Sequence, residues 1–114
     1  MSPPSNHIDY IEFKAVDLNA VKMFYSGAFG WEFTDYGPTY TSFSGSGVAG
    51  GFEKTEGEIR NGALVVLYHS DLNSIKKKIE ASGGEISMDI FSFPGGKRFH
   101  FKDPSGNELA IWSE

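Results

Sequence analysis

Cysteine is absent from the 114-residue chain, which removes disulfides, thiolate nucleophiles and thiolate-bound metals together. Long apolar runs are missing as well. No stretch approaches the ~20 residues that span a bilayer, and the opening Met1-Ser-Pro-Pro-Ser-Asn6 lacks the basic and then apolar segments of an export signal. Positive charge is scarce: ten Lys and Arg stand against fifteen Asp and Glu, a net charge of −5, which repels phosphate backbones and anionic membrane surfaces. These absences predict a cytoplasmic protein that binds neither nucleic acid nor membrane. Apolar surface, by contrast, is plentiful. Hydrophobic residues make up 39% of the chain and aromatics 15%, with ten Phe and five Tyr, enough for a packed core in a chain with room for one domain.

The two halves repeat. Tyr10-Ile-Glu-Phe-Lys-Ala-Val-Asp17-Leu-Asn19 aligns without a gap on Leu64-Val-Val-Leu-Tyr-His-Ser-Asp71-Leu-Asn73, and at the same offset Gly30 falls opposite Gly84 and Asp35 opposite Asp89. Each half opens with an alternating apolar stretch, 8–14 and 63–69, that predicts a strand. A helix follows each: Asp17 and Asp71 suit N-caps, and Leu18, Val21, Phe24 and Ala28, like Leu72, Ile75 and Ile79, recur at helical spacing. Gly30 and Gly83 suit left-handed helix stops. Short strands are expected at 31–35, 38–44 and 48–53, then at 85–90, 97–102 and 107–113. Asp103-Pro104-Ser105-Gly106 carries the preferences of a type I turn. The polar, aperiodic segment 54–62 reads as a connector. The pattern is βαβββ, twice.

This order, with Phe29-Gly30-Trp31-Glu32-Phe33 and Asp103-Pro104-Ser105-Gly106-Asn107, resembles the vicinal oxygen chelate superfamily of glyoxalases, extradiol dioxygenases and bleomycin-resistance proteins across residues 8–113. The resemblance implies an α+β fold of two βαβββ modules, 8–53 and 63–113, whose curled mixed sheets surround a cavity with helices on the outer face. Residues 1–7 are then a disordered tail. It further implies a homodimer and, in the enzymes, a divalent metal held by one side chain from the first and one from the last strand of each module. Here those positions fall on Tyr10, Leu64, Gly51 and Ala110. One phenol among Leu, Gly and Ala is no ligand set, so no metal and no other cofactor is expected.

Alternation places Tyr10, Glu12 and Lys14 on one strand face. Glu12 is either a partly desolvated general base or cation anchor, or a rim carboxylate paired with Lys or Arg. Leu64, Val66, Tyr68 and Trp112 form the equivalent apolar and aromatic wall of the second module, suited to stacking on an aromatic or cationic molecule, or else collapsed into core. Arg98 and His100 share a face that either lines the cavity, receiving an anionic group or shuttling a proton, or lies solvated. His7 and His69 complete no triad with His100. Gly45-Ser-Gly47-Val-Ala-Gly50 fits a dinucleotide pattern but leads into a strand instead of a helix, which rules it out. Lys76-Lys77-Lys78 reads as a solvated helix face, and Phe93-Pro94-Gly95-Gly96 as a loop able to cover a cavity mouth. Three functions compete: metal-independent small-molecule binding, with Tyr10, Glu12, Leu64, Tyr68, Arg98 and Trp112 as contacts; lyase or isomerase chemistry on Glu12 or His100, metal-free or with atypical ligands; and a non-catalytic interaction module.

Overall fold

The computed structural model describes residues 2–114. Ten elements follow in chain order: β1 (Tyr10–Ala15), α1 (Leu18–Phe29), β2 (Glu32–Asp35), β3 (Tyr40–Ser44), β4 (Ala49–Lys54), β5 (Val65–Tyr68), α2 (Leu72–Ala81), β6 (Glu85–Phe93), β7 (Gly96–Lys102) and β8 (Glu108–Ser113). They make two four-stranded sheets ordered β1-β4-β3-β2 and β5-β8-β7-β6. In each, the first strand runs parallel to the last and the other pairs are antiparallel. The fold is therefore the expected α+β pair of βαβββ modules.

Both helices start where the sequence places their caps. Asp17 accepts from the Ala20 amide and Asp71 from that of Ser74, each at 3.1 Å, satisfying donors that the first helical turn leaves free. Gly30 ends α1 in the left-handed conformation at φ 74°, its amide bonding back to Ser26. Val21, Phe24, Tyr25 and Ala28 of α1 and Leu72, Ile75 and Ile79 of α2 are buried. The repeat extends to an ion pair: Lys22 meets Asp35 at 3.0 Å in the first module, and Lys76 meets Asp89 at 2.7 Å in the second. Lys76 is thus tethered to β6 instead of being freely solvated.

The core lies between the helices and the backs of both sheets. Trp31 stacks on Tyr25 and on Phe43, each at 4.7 Å, and Phe13 stacks on Phe52 at 5.3 Å. Phe24 reaches across to Phe101 at 5.8 Å, so the modules share one interior. A polar node reinforces the junction. Asp103 accepts from the Tyr25 hydroxyl (2.9 Å), and the Asn107 amide donates to Asp103 (3.0 Å) and to the β1 carbonyl of Lys14 (2.8 Å). The turn itself closes as expected, with the Gly106 amide bonded to the Asp103 carbonyl.

Three local expectations change. β6 runs on to Phe93, with register shifts near Met88 that let the longer strand stay paired. Phe93 then pairs directly with Gly96, so residues 93–96 form a tight hairpin and not a covering loop. β5 stops at Tyr68, and the His69 ring accepts from the Asp71 amide at 2.9 Å, which makes it part of the strand-to-helix turn.

Candidate functional site

Pleating sends alternate side chains to opposite faces, so registers show which residues share the face turned away from the helices. In the first sheet Glu12 lies opposite Gly51 and Gly51 opposite Ser42, while Lys14 and Tyr40 both flank Glu53. Tyr10, Glu12, Lys14, Tyr40, Gly51 and Glu53 therefore share one face. The Tyr10 and Tyr40 hydroxyls meet at 2.5 Å. They do so directly above Gly51, where an added Cβ would strike both hydroxyls and the Thr41 carbonyl. Burial, and then the Tyr10 hydrogen bond, push the Tyr40 hydroxyl well above the usual tyrosine range. Lys14 is bonded to Glu53 and lies 3.6 Å from Glu12, and Glu53 and then Glu12 raise its pKa. The Glu12 side chain is 42% exposed beside Lys14.

The second sheet presents a different surface. Val66 pairs with Ala110, Ala110 with His100, Tyr68 with Trp112 and Trp112 with Arg98, so these residues share a face with Leu64 by alternation. Tyr68 meets Trp112 edge-on at 5.1 Å and donates to Glu114 at 2.5 Å, a bond that raises the Tyr68 pKa. Arg98 and His100 thus lie on the face away from the helices. The Arg98 guanidinium sits over Phe91 at 5.3 Å and Phe93 at 5.7 Å, favourable cation–π geometry. His100 is 8% exposed, with Nδ1 3.3 Å from Glu108, whose carboxylate also accepts from Ser87. Leu64, Val66, Tyr68 and Met88 are 40–51% exposed. Neither face is closed over within one chain. A depression of about 750 Å³ lies elsewhere: between the modules, lined by Ile11, Phe13, Trp31, Phe43, Val65 and Leu67 and reaching Tyr68, but not Glu12, Arg98, His100 or Trp112.

The structure keeps Tyr10 with Glu12, and Leu64 with Tyr68, Arg98, His100 and Trp112, on two separate sheets. Sequence reasoning missed Tyr40, Phe91, Phe93 and Glu108. Glu108 was accessible by parity with Ala110, whereas Phe91 and Phe93 lie beyond the shifted registers of β6. His7 is exposed ahead of β1. Among the described residues no three His, Cys, Asp or Glu side chains gather as a metal site requires. The positions that bear ligands in the related enzymes hold a phenol bonded to another phenol, a half-exposed Leu, a glycine beneath the hydroxyl pair and a fully buried Ala. That set does not fit a divalent cation.

Residues 7–111 match the model of the glyoxalase/bleomycin resistance protein/dioxygenase superfamily, and the chain belongs to that superfamily. Its fold is similar to that of a glyoxalase-related enzyme from Fulvimarina pelagi (18% identity, 96% of this chain and 88% of that one, TM-score 0.80). It is also similar to a glyoxalase/bleomycin resistance protein/dioxygenase family enzyme from Burkholderia phytofirmans PsJN (14%, 93% and 97%, TM-score 0.81). A lactoylglutathione lyase from Agrobacterium tumefaciens shares 21% identity over 98% of this chain and 96% of that one, at TM-score 0.71. No curated protein matches the chain. Among the described residues no helix is long and apolar enough to cross a membrane.

Proposed function

We propose that the chain is a metal-independent small-molecule binding protein of the glyoxalase and bleomycin-resistance type, cytoplasmic and acting as a homodimer. One observation carries this reading. The face that supplies metal ligands in the related enzymes is here a half-exposed apolar and aromatic wall of Leu64, Val66, Tyr68 and Met88 beside Trp112. Such a contiguous patch is uncommon on a monomer that binds nothing, and rings on it gain by burial and stacking. Tyr10 and Glu12 contribute a polar counterpart from the first sheet, and a second protomer brings the open faces into enclosed cavities. The test is calorimetric titration with Ni²⁺, Zn²⁺ and Mn²⁺ of protein purified without a tag. No site-stoichiometric heat is expected, and one tight equivalent per chain refutes the reading.

Acid/base catalysis is the second reading. It gains from His100, whose ring is oriented by Glu108 at Nδ1 and leaves Nε2 free, the arrangement of a positioned base. It gains nothing from Glu12, which Lys14 holds. On that reading His100→Gln abolishes turnover while leaving the affinity for substrate within a few-fold.

A further inference from the structure

Among the described residues, two buried side-chain polar atoms lack a hydrogen-bond partner: Arg98 Nε and His100 Nε2. They belong to residues two apart on β7, on one face, with Trp112 and Ala110 as cross-strand neighbours. A buried polar group without a partner destabilises the fold, so two on one strand face mark a place where a missing group belongs. No carboxylate of the described residues pairs with Arg98. Its positive charge is spread over Phe91 and Phe93 and stays available for an incoming anion.

The chemistry of the two atoms defines their ligand. Arg98 Nε is an obligate donor. With Nδ1–H directed at Glu108, the neutral His100 ring presents a lone pair at Nε2, which takes an acid proton; the protonated ring instead donates to the conjugate base. An oxygen acid satisfies both atoms in either state. A cation could donate to the Nε2 lone pair at most, and leaves Arg98 Nε without the acceptor it needs. The ring of such a ligand would lie on Trp112 and Tyr68, 5.1 Å apart at the same end of the face.

We infer that β7 carries an acid-recognition subsite, in which Arg98 Nε and His100 Nε2 hold the carboxyl group of an aromatic carboxylic acid stacked on Trp112 and Tyr68. The inference rests on the small-molecule reading and gives it a ligand class. It sets aside the cationic ligand that the aromatic wall also allowed, because at contact distance an unpaired guanidinium beside the site outweighs the screened net charge of −5.

The test uses three probes with one ring system, 1-naphthoate, 1-naphthamide and 1-naphthylmethylammonium, titrated into the protein while the Arg98 Nε–H and Trp112 indole resonances are followed by ¹H–¹⁵N NMR. The expected result is saturable naphthoate binding that moves both resonances, at least tenfold tighter than the amide and with no response to the ammonium. Arg98→Gln should remove that tenfold preference. Arg98→Lys, which keeps charge without Nε, should restore only part of it. Equal affinity for the acid and the ammonium, or shifts confined to Trp112, overturns the subsite while leaving small-molecule binding intact. Absence of binding by all three probes at millimolar concentration overturns the subsite and the binding reading together. The probe comparison in the unsubstituted protein decides the matter even if a variant fails to fold.

Discussion

Replacing Asn107 with Ala tests whether the two modules are locked by the polar node as well as by the aromatic core. The Asn107 side chain is fully buried. It makes three hydrogen bonds, donating to the Lys14 carbonyl at 2.8 Å and to Asp103 at 3.0 Å, and accepting from Asn61 at 2.9 Å. At about 1 kcal/mol per bond the loss is ~3 kcal/mol, rising toward ~5 if the Lys14 carbonyl and Asp103 carboxylate stay dry and unpaired. For a domain of this size ~3 kcal/mol corresponds to a fall of roughly 12 °C in Tm. Asn61→Ala is the comparison. It removes the bond to Asn107 and the one that Asn61 accepts from the Glu108 amide, and as these groups are nearer solvent it should cost only about 1–2 kcal/mol. Urea denaturation with a common m-value measures both, and the double variant should be less destabilised than the two single losses added, because they share a bond. A loss below ~1 kcal/mol for Asn107→Ala refutes the argument that this node joins the modules.

Gly51→Ala should destabilise the protein by about 1–3 kcal/mol, the range for overpacking, because its Cβ would lie 2.7 Å from both the Thr41 carbonyl and the Tyr10 hydroxyl; unchanged urea stability would show that the hydroxyl pair is not held there. Alkaline pH gives an independent check. Burial, and then the Asp103 charge, hold the Tyr25 hydroxyl well above the usual tyrosine range. The unfolded chain loses this proton near pH ~10 while the folded one keeps it, so this part of the stability is intact below pH ~10 and falls above it by up to ~1.4 kcal/mol per pH unit. Tyr25→Phe, though less stable at neutral pH for want of the Asp103 bond, should lose stability more gently between pH 9 and 11, and parallel slopes would contradict the assignment.

Much of the fold was legible because the chain says it twice. The Asp caps, the two helical stripes and the alternating strands are local signals that agree between halves, and agreement doubles their weight. Tyr25 shows where local reading stops. Its place four residues after Val21 and three before Ala28 fits the buried stripe of α1, but its hydroxyl's partner, Asp103 of the other module, lies far away in sequence. The site divides in the same way. Parity alone put Arg98 and His100 on one face, but choosing that face needed the register with β8. Glu12 pointed as alternation required, on the same face as Lys14 two residues along the strand, whereas the partnership of Lys14 with Glu53 depends on a parallel pairing between strands far apart in sequence. The ring cage of Arg98 was hidden by the irregular β6, whose shifts move Phe91 into place opposite it.

Native mass spectrometry of protein purified without added metal or tag tests the central claim most directly, since it weighs subunits, metal and retained organic molecules at once. The account predicts a dimer free of stoichiometric metal, with any retained mass that of a small organic molecule. A dimer carrying one divalent metal per cavity would contradict it, showing that Tyr10, Leu64, Gly51 and Ala110 do not describe the metal-binding capacity of this chain.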